Sequence, residues 1–300
     1  MKYFAKLLLF GEYTVVKGSR ALAIPYSRFK GSWRYAPDKL ERQKDLVDYA
    51  KFLEKGMAVE NPVVQLDVDQ LEQDLQEGLY FKSNIPEGYG LGSSGALCAA
   101  VYDRYALDPY HRKDGKHYPE LMEILAWMEH YFHGTSSGTD PLICYIKQPV
   151  LLGGKRPERL RKFPDVKKMP FHLFLLNTGK PHQTGPLVKL FEERYEEKKY
   201  RKKIEKEVVP AVESAIDAFV EGDWKEVGKR FKEISALQWK YFRPMITEEV
   251  MPYWEKGLES GDYSLKLCGA GGGGYMLGLT RDAAVLKKLG KHFPIEPVFE

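Results

Sequence analysis

Cysteine is scarce in this chain: Cys98, Cys144 and Cys268 are the three among 300 residues. No two have the short spacing of a metal clip, so neither a disulfide framework nor a thiolate metal site is expected. All three sit among apolar or glycine residues, as buried thiols of a reducing cytoplasm would. Long apolar runs are missing too; none approaches the ~20 residues that a membrane-spanning helix needs. The run Met1–Phe10 is too short for the apolar core of a secretion leader. Gly11-Glu12-Tyr13 after it makes a poor cleavage site, so the run reads as a first β-strand. An excess of one charge is absent. The 46 basic and 42 acidic residues leave a formal charge of +4, which does not argue for a nucleic-acid partner but suits an anionic small molecule. Internal repeats and low-complexity tracts are lacking as well. What remains is an ordinary soluble composition, long enough for one large domain or two packed lobes.

The most informative stretch is Pro86-Glu87-Gly88-Tyr89-Gly90-Leu91-Gly92-Ser93-Ser94-Gly95-Ala96. Its glycines exclude a regular element, because glycine loses the most chain entropy on ordering. The apolar run Ala96–Tyr102 that follows is rich in helix formers. A glycine loop therefore opens a buried helix. Its backbone N–H groups and the helix dipole together make an anion cradle, and the Ser93 and Ser94 hydroxyls can bond phosphate or a metal ion. No Gly-Lys-Ser/Thr closes the loop, so it is not of the Walker type.

Along the chain, Tyr3–Phe10, Thr14–Val16 and the segment from Ala21 read as a meander of strands turned at Gly11-Glu12 and Gly18-Ser19. The spacing predicts a helix over Asp38–Lys55, strands over Val63–Val68 and Leu79–Ser83, and a helix over Glu120–Phe132. The basic, proline-bearing segment Arg156–Met169 is the best lobe boundary. Beyond it come a strand over Phe171–Leu176, helices over Pro186–Val220, Asp223–Phe242 and Thr247–Leu258, and the strands Tyr263–Leu267 and Tyr275–Leu279. A second glycine turn, Cys268–Gly274, joins those two strands. A last short helix covers Asp282–Lys291. This alternation suits an α+β lobe.

Taken singly, three charged residues have ordinary explanations. Lys6 in its apolar strand reads as an edge lysine. Glu129, one residue past Met128, reads as a rim carboxylate. Asp140 before Pro141 reads as a helix N-cap.

Four stretches in order change that reading: Lys6–Val16 with its Gly-Glu-Tyr turn, Pro86–Ala96, Glu129 through His133-Gly134 to Ser137-Gly138-Thr139-Asp140, and Lys266–Gly274. Together they resemble the galactokinase, homoserine kinase, mevalonate kinase and phosphomevalonate kinase (GHMP) superfamily, over residues 3 to 279. The Glu129–Asp140 spacing is most like that of mevalonate kinases.

The resemblance implies an α+β, two-lobed GHMP kinase fold with the active site in the cleft between lobes. An N-terminal lobe like ribosomal protein S5 domain 2 (residues 1–165) would carry the phosphate loop and the catalytic aspartate. A C-terminal ferredoxin-like α/β sandwich lobe (residues 166–300) would carry the glycine turn. Activity would be ATP- and magnesium-dependent phosphorylation of a small-molecule alcohol, mevalonate before phosphomevalonate or a sugar. The superfamily also holds ATP-dependent decarboxylases, which usually lack the N-terminal lysine, and non-catalytic nucleotide-binding relatives, which do not need all three charged groups.

By the same resemblance, Asp140 and Lys6 are catalytic, with Asp140 accepting or orienting the acceptor's hydroxyl proton and Lys6 stabilising developing charge. Pro86, Gly88, Gly90, Leu91, Gly92, Ser93, Ser94 and Gly95 would hold ATP, with Gly269, Ala270, Gly271 and Gly272 closing from the other lobe. Ser94 and Glu129 would hold magnesium. Glu12, Tyr13 and Thr184 would line the acceptor pocket. The implied setting is cytoplasmic, with no nucleic-acid or membrane partner, and it allows a homodimer.

Overall fold

The computed structural model describes residues 1–36, 44–59, 62–154, 156–181 and 184–299. Two antiparallel sheets organise them. In the first, β1 (Tyr3–Phe10) pairs with the 15-residue β2 (Ala21–Tyr35). The inner end of β2 pairs with β4 (Val150–Leu152), its outer end pairs with β3 (Leu79–Ser83), and β5 (Glu158–Arg159) adds to β4. Helices α1 (Lys44–Met57), α2 (Val68–Gln76), α3 (Ser93–Tyr105), α4 (Tyr118–His133) and α5 (Thr139–Ile146) accompany this sheet. In helix α3, Gly95, Ala96, Cys98 through Tyr102 and Tyr105 are buried. A helix buried on most sides is the expected product of its unbroken Ala-Leu-Cys-Ala-Ala-Val run.

The second sheet has the order β7-β8-β6-β9, from β6 (His172–Asn177), β7 (Tyr263–Leu267), β8 (Tyr275–Thr280) and β9 (Ile295–Pro297). Strands β7 and β8 are buried at every residue. Helices α6 (Thr184–Glu196), α7 (Lys198–Lys203), α8 (Val209–Glu221), α9 (Trp224–Tyr241), α10 (Met251–Ser260) and α11 (Ala283–Leu289) belong to this half. The mixed, two-lobed α+β architecture expected from the sequence is present. Among the described residues, no helix is long and apolar enough to cross a membrane, and all three cysteines are free and buried.

Several local expectations are corrected. Thr14–Val16 is not a strand but a 3-10 turn, Thr14–Lys17. It is enforced by Tyr13 at φ 64° and Gly18 at φ 90°, which turn the chain back before a strand can extend. Val63–Val68 is not a strand either. A single bridge, Leu66 to Ala106, is followed at once by α2, because the Asp67 carboxylate accepts the Gln70 N–H at 3.0 Å and caps that helix. The single helix expected over Pro186–Val220 is broken between α6 and α7, and a π-helical turn at Ile204–Val208 joins α7 to α8. The first residues of the expected Asp38–Lys55 helix, 38–43, lie outside the described residues.

Candidate active site

The phosphate-loop segment crosses the first sheet beside β1, where the Lys6 N–H donates to the Leu91 carbonyl at 2.9 Å. Gly88, Gly90 and Gly92 all have φ near 73°: 73°, 72° and 73°. A side chain rarely adopts this conformation. Gly92 is the N-cap of α3, and no side chain caps the first turn. Ala96 N–H is the first to bond back, to Gly92 O at 2.9 Å. The amides of Ser93, Ser94 and Gly95 therefore precede the helical ladder, and the positive end of the α3 dipole faces the loop.

Helix α5 brings Asp140 to the same point. Asp140 is not the N-cap that its position before Pro141 suggested. Gly138 holds that place at φ 71°, and Asp140 is the second residue of the helix. Only glycine fits at 138, since a Cβ there would lie 2.1 Å from the Met122 carbonyl oxygen on α4. Released from capping, the Asp140 carboxylate pairs with Lys6, with Nζ 2.8 Å from Oδ1. The lysine side chain is 9% exposed and the aspartate 30%, so the pair is closed on the β1 side and open on the other. Burial alone would push the Lys6 ammonium down; the Asp140 carboxylate outweighs it and the net shift is upward. Lys6 is thus a fixed cation. The loop packs directly on this pair: a Cβ at Gly92 would lie 3.4 Å from Asp140 Oδ2 and 3.6 Å from Lys6 Cβ.

Glu129, on α4, is buried beside them. Its Oε1 accepts from the Ser94 hydroxyl at 2.8 Å and its Oε2 from the Ser136 hydroxyl at 2.6 Å. Burial and then the nearby Asp140 charge push this carboxyl up, against the two serine bonds. Such a site favours a neutralising cation. Ser94 Oγ and Glu129 Oε1 are hard oxygen donors 2.8 Å apart, close to the ~3 Å between neighbouring ligands of an octahedral ion bound at ~2.1 Å. Among the described residues, no group of three or more His, Cys, Asp or Glu side chains could cage a metal by itself. A magnesium ion here would take few protein ligands, the usual arrangement where nucleotide phosphates and water complete the shell.

The second glycine turn meets the loop from the other sheet. A Cβ at Gly274 would stand 2.8 Å from the Tyr89 carbonyl oxygen, and the Tyr89 and Tyr275 rings lie 5.6 Å apart. Gly272 N–H donates to Met245 O at 2.7 Å and Gly274 N–H to Lys180 O at 2.7 Å, which pins the turn. Pro86 lies in the first of these loops, and Gly269, Ala270 and Gly271 lie in the second.

Of the residues expected at the acceptor pocket, Glu12 and Tyr13 are placed differently. Glu12 is 2% exposed and bonds the fully buried Lys266 ammonium, with Gln238 at 3.4 Å. Tyr13 is 5% exposed; its hydroxyl donates to Ala270 O, and its ring packs on Phe191 and Phe242 at 5.0 and 5.2 Å. Both join the halves rather than line open space, because burial forces each polar group to take a protein partner. Thr184 opens α6, and its side chain lies outside the described residues. Sequence reasoning missed Ser136, the second donor to Glu129, and His133, whose Nε2 is 2.9 Å from Ser94 Oγ. The i, i+4 spacing of Glu129 and His133 on one helix was the available signal. A cavity of about 600 Å³ lined by Phe171, Phe174, Leu286 and Phe299 holds none of these residues.

Comparison with known proteins gives the family and the fold. The GHMP kinases N terminal domain model matches residues 43–148 and the GHMP kinases C terminal model matches residues 215–295. The mevalonate kinase of Archaeoglobus fulgidus is 28% identical over 291 residues, covering 92% of this chain and 90% of that protein. The fold is similar to that of L. major mevalonate kinase in complex with R-mevalonate, at TM-score 0.69 and 17% identity over 99% of this chain and 94% of that one. It is also similar to Streptococcus pneumoniae phosphomevalonate kinase in complex with phosphomevalonate and AMPPNP, at TM-score 0.63 and 15% identity over 99% of each chain. With one family model matched in each half and the two glycine loops meeting between them, the chain belongs to the GHMP kinase superfamily.

Proposed function

We propose that this protein is an ATP- and magnesium-dependent kinase that phosphorylates the primary hydroxyl of mevalonate, giving 5-phosphomevalonate for isoprenoid precursor synthesis in the cytoplasm. Residues 1–165 form its nucleotide-binding lobe and residues 166–300 the lobe that closes over it. The observation that carries the reading is the Lys6–Asp140 pair, 2.8 Å across and lying against Gly92 of the phosphate loop.

Phosphoryl transfer asks mainly for positioning and for neutralised charge. The amides from Gly88 to Gly95 and the α3 N-terminus hold the nucleotide phosphates, and Gly269–Gly272 closes on them. Ser94 and Glu129 hold magnesium, which when bound neutralises charge on the transferred group. Asp140 takes the proton of the acceptor hydroxyl as its oxygen bonds to the γ-phosphorus and the bridge to the leaving ADP breaks. The Lys6 ammonium keeps Asp140 in place and offsets negative charge on the attacking oxygen. An intact Lys6 also separates this reading from decarboxylation.

The choice of mevalonate rests on the Glu129–Asp140 spacing and on the Archaeoglobus relative. It is tested by a coupled ADP-release screen over mevalonate, phosphomevalonate and common monosaccharides. Mevalonate is expected to give the strongest signal; silence on mevalonate with turnover on another acceptor overturns the substrate and leaves the kinase.

A further inference from the structure

We propose that His133 is a positioning residue that accepts the hydrogen bond of the Ser94 hydroxyl when Ser94 turns its oxygen to a magnesium ion. The inference rests on the assignment of Ser94 and Glu129 as magnesium holders. Ser94 has one proton to donate, and it goes to Glu129 Oε1 at 2.8 Å. The Nε2 of His133 stands 2.9 Å from the same serine oxygen.

A hydroxyl that coordinates a cation presents a lone pair to it and points its O–H away. Glu129 Oε1, as a second ligand of the same ion, then lies on the ion's side of Ser94, away from which the O–H points. His133 is the remaining side chain within hydrogen-bond distance of Ser94 Oγ among the described residues. As the Nδ1–H tautomer it offers Nε2 as an acceptor. Helix α4 sets the arrangement: Glu129 and His133 are one turn apart and both reach Ser94. Without the ion Ser94 bonds Glu129; with it, Ser94 bonds His133, and Glu129 keeps its second tie to Ser136 at 2.6 Å.

The test measures affinity for a non-hydrolysable ATP analogue by calorimetry, once with excess magnesium and once with a chelator. His133→Phe keeps the ring volume and removes the acceptor; His133→Gln restores an acceptor near Nε2. The magnesium-dependent gain in affinity should fall by up to about tenfold in His133→Phe, the worth of one ordinary hydrogen bond. It should stay within about threefold of wild type in His133→Gln, with chelator affinities unchanged in both. Ser94→Ala should lose the gain altogether. A full gain in His133→Phe, with the gain lost in Ser94→Ala, overturns the role of His133 alone. A loss in His133→Gln as large as in His133→Phe overturns it too. A full gain in Ser94→Ala overturns the metal assignment beneath it.

Discussion

Asp140 and Asp74 are both helix carboxylates, and their surroundings give them different work. Asp140 is left partly open beside Lys6. Asp74, buried on α2, is fully engaged: Tyr105 Oη donates to its Oδ2 at 2.6 Å, Arg104 Nη2 to the same oxygen at 2.6 Å, and Gln70 to Oδ1 at 3.0 Å. Burial alone would raise this carboxyl; the Tyr105 and Arg104 bonds outweigh it and hold it below its ordinary value of 3.8. A carboxylate with a depressed folded value stabilises the fold above the unfolded value, and the contribution is lost as pH falls through the folded one. Asp74→Asn should therefore cost about 1–3 kcal/mol at pH 7. Its difference from wild type in denaturant unfolding should shrink below pH 3.8; an equal difference at both pH values contradicts the assignment. No local pattern announced this cluster, since Asp74 and Arg104 are 30 residues apart and each alone looks like a surface charge. Lys6, Glu129 and Asp140 were legible only as members of ordered motifs, each having a commonplace explanation by itself.

Two short elements, the phosphate loop and the start of α5, are packed against each other with no room to spare. A Cβ at Gly95 would lie 2.8 Å from Pro141 N and 3.1 Å from Asp140 Cβ. Gly95→Ala should push α5 away and carry Asp140 with it. Misplacement of about 1 Å can cost ~100-fold in rate, so turnover should fall by about tenfold to 100-fold, with a loss of about 1–3 kcal/mol in unfolding free energy from overpacking. Wild-type turnover in Gly95→Ala would show that the contact does not set the geometry. The glycine loops were readable because φ above zero and close backbone approach both require glycine, and composition records that demand directly. The Thr14–Val16 turn was not readable, because its β-branched residues favour a strand until Tyr13, held by rings from the other half, bends the chain. The Asp140 cap was misread for a similar reason: the contact that puts Gly138 at the N-cap comes from α4, sixteen residues earlier in chain order at Met122.

Across the whole molecule, the two halves are joined by the buried Glu12–Lys266 pair, with side chains 1% and 0% exposed. Burial pushes the Glu12 carboxyl up while Lys266 pulls the other way. Lys266→Met strands an acid in the interior and should cost about 3–5 kcal/mol of stability. Adding Glu12→Gln should restore part of it, because a neutral amide suffers less there. A double variant as unstable as the sum of two full single losses would mean that the two residues act separately. This tie between β7 and the turn after β1 lay beyond sequence reasoning, which placed Glu12 in a turn and at the acceptor pocket and saw Lys266 as a motif position. The alternation of strands and helices, by contrast, was enough to read the C-terminal half as α+β, and the four ordered stretches supplied the two-lobed fold through the resemblance they carry. The central claim is that Asp140, held by Lys6 against the nucleotide loop, activates the acceptor alcohol. The measurement that bears on it most directly is steady-state turnover of Asp140→Asn with mevalonate and magnesium ATP, alongside its ATP affinity. A fall in turnover of about 10²–10⁴ with ATP affinity retained is the predicted result; turnover within a few-fold of wild type would contradict it.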